Sequence, residues 1–206
     1  MRKGRPGGAG PPTGEPYPPP PTPRPQGGQD VALPCPPPTD ALVTTIGAFL
    51  GIAAVAGIDA AVHPSALHAP ALLASHGASA VLVFGVVESK LSQPMNFVLG
   101  QTVSAFVGVT VGHACATAPM WAAASTGVAL ATLAMALLSI THPPGGATAL
   151  IAATHAAGAN LPAAGYSMVL TVFLGSLAML LVALLVNNLH PGRRYPTQWI
   201  GRWGLP

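Results

Sequence analysis

Thr141-His142-Pro143-Pro144-Gly145-Gly146-Ala147-Thr148-Ala149-Leu150 interrupts an apolar run of helical length. Proline lacks an N–H and clashes with the turn before it, so the preceding helix is predicted to stop near Ile140. Proline also suits a helix start, and Thr141 is a candidate N-cap for a second helix. The first amides of that helix, those of Gly145, Gly146 and Ala147, then lack intrahelical partners. Free donors at the positive end of a helix dipole are the ingredients of an anion site, and two glycines let a ligand or another backbone come close.

Working outward, half of the residues are hydrophobic and 6% are charged, against about 25% charged in a soluble domain. The fold class is therefore an all-α polytopic membrane protein, with 4–6 transmembrane segments. The apolar mass between Ala41 and Asn187 leaves no stretch for an additional soluble catalytic domain. The formal net charge of +3 is small and lies towards the ends, which argues against a nucleic-acid partner. Cys35 and Cys115 suggest neither a disulfide framework nor a zinc ribbon. No metal site and no cofactor is expected. A serine nucleophile elbow, paired carboxylates and a metal-hydrolase motif are all lacking, so no enzyme is expected either.

Three regions follow. Residues 1–40 are Pro/Gly-rich and predict a disordered tail without the apolar core of a signal peptide. Residues 41–188 form the transmembrane region, and 189–206 an interfacial tail in which Arg193, Arg194, Tyr195 and Trp199 act as anchors. Within the apolar region, segments about 41–62, 97–115, 121–140 and 166–186 are long enough to span. Segments about 71–87 and 145–157 are short, and Ser75 is a candidate cap for the first of them. Asp59 is either an intramembrane functional acid or an interfacial one. Gln101, Thr102 and Ser104 are expected to make one polar stripe between helices.

Gly77-Ala78-Ser79-Ala80-Val81-Leu82 matches Gly146-Ala147-Thr148-Ala149-Leu150-Ile151, and each follows a long apolar segment and a His/Pro break. The order long–short–long thus occurs twice, which predicts a three-segment repeat that is inverted in the membrane. If all six segments cross, the 8 Lys+Arg residues fall on one side, in the N-terminal tail, the link around Lys90 and the C-terminal tail. The positive-inside rule makes that side cytoplasmic or its organellar equivalent. In the alternative the two short segments are re-entrant, four segments span, and Lys90 lies opposite the termini. Inverted repeats with broken helices are a recurring transporter design, with half-helix N-termini meeting near the midplane. The residues placed there are His76, Gly77 and Ser79 from one half and His142, Gly145, Gly146, Ala147 and Thr148 from the other.

Taken in order, Gly77–Leu82, Gln93-Pro94-Met95-Asn96, Thr141–Leu150, Val186-Asn187-Asn188 and Arg194-Tyr195-Pro196 resemble the HPP family of integral membrane proteins, named for the His-Pro-Pro seen here at 142–144. The likeness runs from about Thr45 to Trp199. Met95 stands where the family pattern has Arg, and His76 where it has Phe. The resemblance implies four spans and transport, with nitrite as substrate in some plant and cyanobacterial relatives. It also implies a chloroplast envelope location in a plastid-bearing organism, and otherwise a plasma or inner membrane.

Three readings of function are open at this point. The first is a carrier for a small anion, nitrite above all, with His142 as a proton-coupling group, since imidazole changes charge near neutral pH. The second is a metal-ion carrier or sensor using His63, His68, His76, His113, His155 and Cys115. The third is a non-transporting scaffold or assembly factor. The partners expected are the lipid bilayer and the small anion.

Overall fold

The computed structural model describes residues 35–62, 71–157 and 165–200. The N-terminal tail up to residue 34, the loop carrying His63 and His68, and the end of the C-terminal tail lie outside the described residues. Six α-helices follow in order: α1 (Pro38–Val62), α2 (Ala74–Gly85), α3 (Gly100–Ala114), α4 (Met120–Leu137), α5 (Pro143–Ala156) and α6 (Ser167–Leu189). A π-turn, Met95–Leu99, leads directly into α3. Among the described residues four stretches are long and apolar enough to cross a bilayer: Pro38–Ala61, Met95–Ala114, Met120–Leu137 and Ser167–Leu189. The protein is thus an all-α polytopic integral membrane protein. The 12 residues of α2 and 14 of α5 extend about 18 and 21 Å at 1.5 Å per residue, short of the ~30 Å hydrocarbon core.

α2 runs back along α1. Asp59 near the end of α1 accepts from the amides of Ala71 and Leu72 at 2.7 and 3.2 Å, and Thr44 near its start donates to the Phe84 carbonyl at 3.0 Å. Asp59 therefore closes the α1–α2 joint. α5 likewise runs back along α4, with Ala153 against Gly127 and Gly145 against Met135.

α3 and α5 are parallel and very close. A Cβ added to Gly100 would lie 2.6 Å from His142 Cβ, one on Gly108 2.6 Å from the Ala149 carbonyl oxygen, and one on Gly112 2.5 Å from that of Ala153. Gly100, Ser104, Gly108 and Gly112 recur every fourth residue, a stripe of small side chains that lets two backbones meet. The expected polar stripe is divided accordingly. Ser104 belongs to this seam, Gln101 beside it also reaches α5 at Thr148, and Thr102 bonds its own helix at Val98 O. Gln101 and Ser104, three residues and so about 60° of rotation apart, share a face, while Thr102, about 100° from Gln101, leaves it.

The start of α1, the end of α2, the link after it and the end of α6 meet at one end of the bundle. Arg193 binds Asp40, and Tyr195 binds the carbonyl of Ser92. The link carrying Lys90 and the segment carrying Arg193 are thus at the same end of the bundle.

Candidate functional site

α4 ends at Leu137 in a Schellman turn. Ile140 N–H returns to Met135 O at 3.0 Å and Ser139 N–H to Ala136 O at 3.1 Å, while Ser139 adopts φ 54°. Met135 and Ile140 are both buried beneath it. The helix stops where the sequence predicts, but the N-cap of α5 is His142 rather than Thr141. The Thr141 carbonyl instead accepts from Asn96 Nδ2 at 3.0 Å. The π-turn sets Asn96 there and brings the Phe97 ring to 5.3 Å from the His142 ring. An extra residue in a helical turn re-aims side chains in this way.

Below this turn α2, α3 and α5 share a buried polar network. Thr148 Oγ1 lies 2.7 Å from Ser75 Oγ and donates to Gln101 Oε1. Gln101 Nε2 donates to Ser79 Oγ at 2.8 Å, and Ser79 Oγ is 2.8 Å from His142 Nε2. His142 Nδ1 is 2.9 Å from the Leu91 carbonyl. Ser75, Ser79, Gln101, His142 and Thr148 are all fully buried. Ser75 does not cap α2, which begins at Ala74. Its carbonyl is an acceptor for Ser79 Oγ at 3.0 Å.

The donor inventory fixes the network's logic. A carbonyl only accepts, so His142 Nδ1 carries a hydrogen. With a neutral ring, the Ser79 hydroxyl donates to Nε2. With a protonated ring, Nε2–H donates to Ser79, and the Ser79 hydrogen turns to Ser75 O. Gln101 donates to Ser79 in both cases. The hydrogen-bond pattern can be satisfied in either protonation state without moving a heavy atom, and none of the hydrogen bonds above involves a carboxylate, Lys or Arg.

Of the residues singled out in the sequence, His142, Thr148 and Ser79 come together here, and Ser75 and Gln101 join them. Gly145 is buried against Ser104 and Gly100 O, with its amide on His142 O at 2.8 Å. Gly146 is partly exposed, Ala147 is exposed, and Gly77 is partly exposed. A Cβ on Gly146 or Gly77 meets nothing within 4 Å. His76 stands apart. Its ring packs on Gly175, with Nε2 3.3 Å from Ser176 Oγ. The Val172 carbonyl lies beside the ring, but Nδ1 closes no hydrogen bond. Among the described residues no three His, Cys, Asp or Glu side chains are grouped to hold a metal.

Arg193 is the residue whose role the sequence hid. Read as an interfacial anchor, it is buried, with side-chain exposure of 8%, and spends its guanidinium on α1, α2 and α6. Only its distance from an apolar segment suggested otherwise, and a tail that folds back removes that cue.

Residues 33–196 match a family model described as "HPP, transmembrane region". A transmembrane protein of Dictyostelium discoideum is 45% identical over 130 residues, covering 62% of this chain and 41% of its own length. A second one from the same organism is 38% identical over 161 residues, covering 76% of this chain and 54% of its own. The chain thus spans about half the length of the curated relatives it matches. No solved structure matches it. The family model covers most of the chain, the His-Pro-Pro turn and both short helices included, and the chain belongs to the HPP family of transmembrane proteins.

Proposed function

We propose that the protein is a carrier, not an enzyme, for a small inorganic anion, with nitrite the specific candidate and transport coupled to protons through His142. One observation carries the reading. Where α2 and α5 meet, the buried polar groups are hydroxyls, an amide and an imidazole able to gain a proton, without a partner carboxylate. A protonated His142 buried there is a cation lacking a counter-ion, and a co-transported anion supplies one. Neutral donors select for size and hydrogen-bond geometry, and the proton supplies the charge. The sequence has no Lys or Arg inside the apolar segments. The membrane is the plastid envelope in a plastid-bearing organism and a plasma or inner membrane elsewhere.

The test is flux into liposomes for nitrite, nitrate, bicarbonate and chloride across a pH series. Nitrite uptake driven by an inward proton gradient is expected. His142→Ala, at matched protein levels, should lower that uptake at least tenfold and flatten its pH dependence. Superimposable curves for the two proteins would remove His142 from the mechanism.

A further inference from the structure

Segment 190–198 leaves α6 and folds across the end of the bundle above the His142 network. Arg193 directs all five guanidinium hydrogens at partners: Asp40 Oδ1 at 2.6 Å, Asp40 O at 2.9 Å, Thr44 Oγ1 at 2.7 Å, Phe84 O at 2.9 Å and Asn187 Oδ1 at 3.2 Å. One side chain thereby joins the start of α1, the end of α2 and the end of α6. Tyr195 Oη donates to the Ser92 carbonyl at 2.8 Å, and His142 Nδ1 donates to the adjacent carbonyl, Leu91 O, at 2.9 Å. The link between α2 and α3 is therefore pinned from one side by Tyr195 and from the other by His142. Gln93 couples link and strap. Its amide donates to Val87 O and Ser89 O at 2.9 Å, and its Oε1 accepts from Thr197 N at 2.9 Å and Gln198 N at 3.3 Å. Burial pushes the Tyr195 phenol above its ordinary pKa, so it remains a donor near neutral pH.

A cavity of about 270 Å³ lined by Asp40, Gly85, Val86, Val87, Glu88, Gly192 and Arg193 lies against this latch. Its wall includes the Arg193–Asp40 pair, and no residue of the His142 network lines it. From these contacts we infer that segment 190–198 is a gate over the Lys90–Ser92 link and the His142 network, latched by Arg193 on Asp40 and by Tyr195 on Ser92. Closed, the gate shields Ser79 and His142 from this end. Opening breaks the ion pair, the Tyr195–Ser92 bond and the Gln93 contacts to Thr197 and Gln198, and lifts the strap off the link. The gate rests on reading that network as the site of the transported ion.

The experiment is thiol accessibility in oriented vesicles. The parent is the full chain with Cys35→Ser, Cys115→Ala and Ser79→Cys, and the probe is a membrane-impermeant thiol reagent applied to each side in turn. The open fraction sets the labelling rate. Asp40→Asn, which removes the charge and keeps the shape, should speed labelling from the strap side about tenfold, and Tyr195→Phe about threefold. Neither should alter labelling from the other side. Unchanged rates in both variants, or equal acceleration from both sides, would overturn the gate. If Asp40→Asn does not yield folded protein, Tyr195→Phe alone decides. Labelling needs no transported ion, so a failed anion assignment and a failed gate give different results.

Discussion

The two short helices, matched in sequence, are held by opposite means. α5 lies flush on α3, where Gly108 and Gly112 meet the Ala149 and Ala153 carbonyls. α2 is held off α6 by a side chain: His76 fills the gap in front of Gly175 and reaches Ser176. In the paired sequences His76 falls where the second half has Gly145, whose place against Ser104 leaves no room for a Cβ. The joints repeat the contrast. α4–α5 closes with a backbone Schellman turn, and α1–α2 closes on the Asp59 carboxylate. A short duplicated motif therefore specifies where helices break but not how rigidly each is seated. Backbone seams are stiff, since carbonyls cannot rotate away, while side-chain seams yield by changing rotamer. The compliant half is the one fastened by Arg193, which suits a moving part.

The largest effect should come from filling the stiff seam. A Cβ on Gly112 sits 2.5 Å from both the Ala153 carbonyl oxygen and Ala156 Cβ, and one on Gly108 2.6 Å from the Ala149 oxygen. Neither neighbour can retreat without moving α5. Gly112→Val is expected to cost about 3 kcal/mol or more, at the top of the overpacking range, and to remove most monodisperse protein from detergent extracts. In the compliant seam a Cβ on Gly175 meets Val55 Cγ1 at 3.3 Å and His76 Nε2 at 3.4 Å, both side-chain atoms. Gly175→Ala should cost about 1 kcal/mol or less in thermal melting. Similar losses in the two variants would erase the distinction between the halves.

An intermediate effect is expected where the first half depends on one side chain. Asn187 is fully buried, donates to Val83 O at 3.1 Å and accepts from Arg193. Asn188 is exposed and holds the strap: its amide donates to Leu184 O at 2.8 Å and to Tyr195 O, and its Oδ1 accepts from Tyr195 N at 3.0 Å. Asn187 thus ties α6 to the end of α2. Asn187→Ala leaves a buried carbonyl short of a partner and should cost about 1–3 kcal/mol, with less folded protein but an unchanged transport KM. Asn188→Ala should cost about 1 kcal/mol at most. Equal melting shifts, or a raised KM at normal abundance for Asn187→Ala, would show that the first half does not hang on this contact.

Much of this architecture is legible in the chain because helix breaks are local. Pro143, Pro144 and the apolar lengths place all six helices within a few residues of where they lie. The His142–Ser79–Thr148 convergence is foreshadowed because the repeat pairs Ser79 with Thr148 and marks the break at His142. The rest depends on contacts distant in sequence. Gln101 reaches Ser79 across 22 positions and Arg193 reaches Asp40 across 153. No periodicity records such a pairing. The cation that fastens the link's neighbourhood shows the same limit, since it arrives from the far end of the chain.

The smallest expected effect is a gain, at the stiff joint. Ser139 holds φ 54° at the position after the α4 cap, where glycine is the usual residue. For an L-residue the left-handed conformation costs roughly 1–2 kcal/mol, part of which returns when glycine replaces it, since glycine is also freer in the unfolded chain. The Ser139 side chain is exposed, so little packing is lost with it. Ser139→Gly should therefore stabilise the protein by about 0.5–1 kcal/mol, read as a higher melting temperature in detergent. Ser139→Ala retains the Cβ and should bring no gain. If glycine and alanine shift the melt equally, backbone strain is not what the position contributes. The turn would then owe its stability to Met135 and Ile140 beneath it, and the α4–α5 joint would depend on side chains as the α1–α2 joint does.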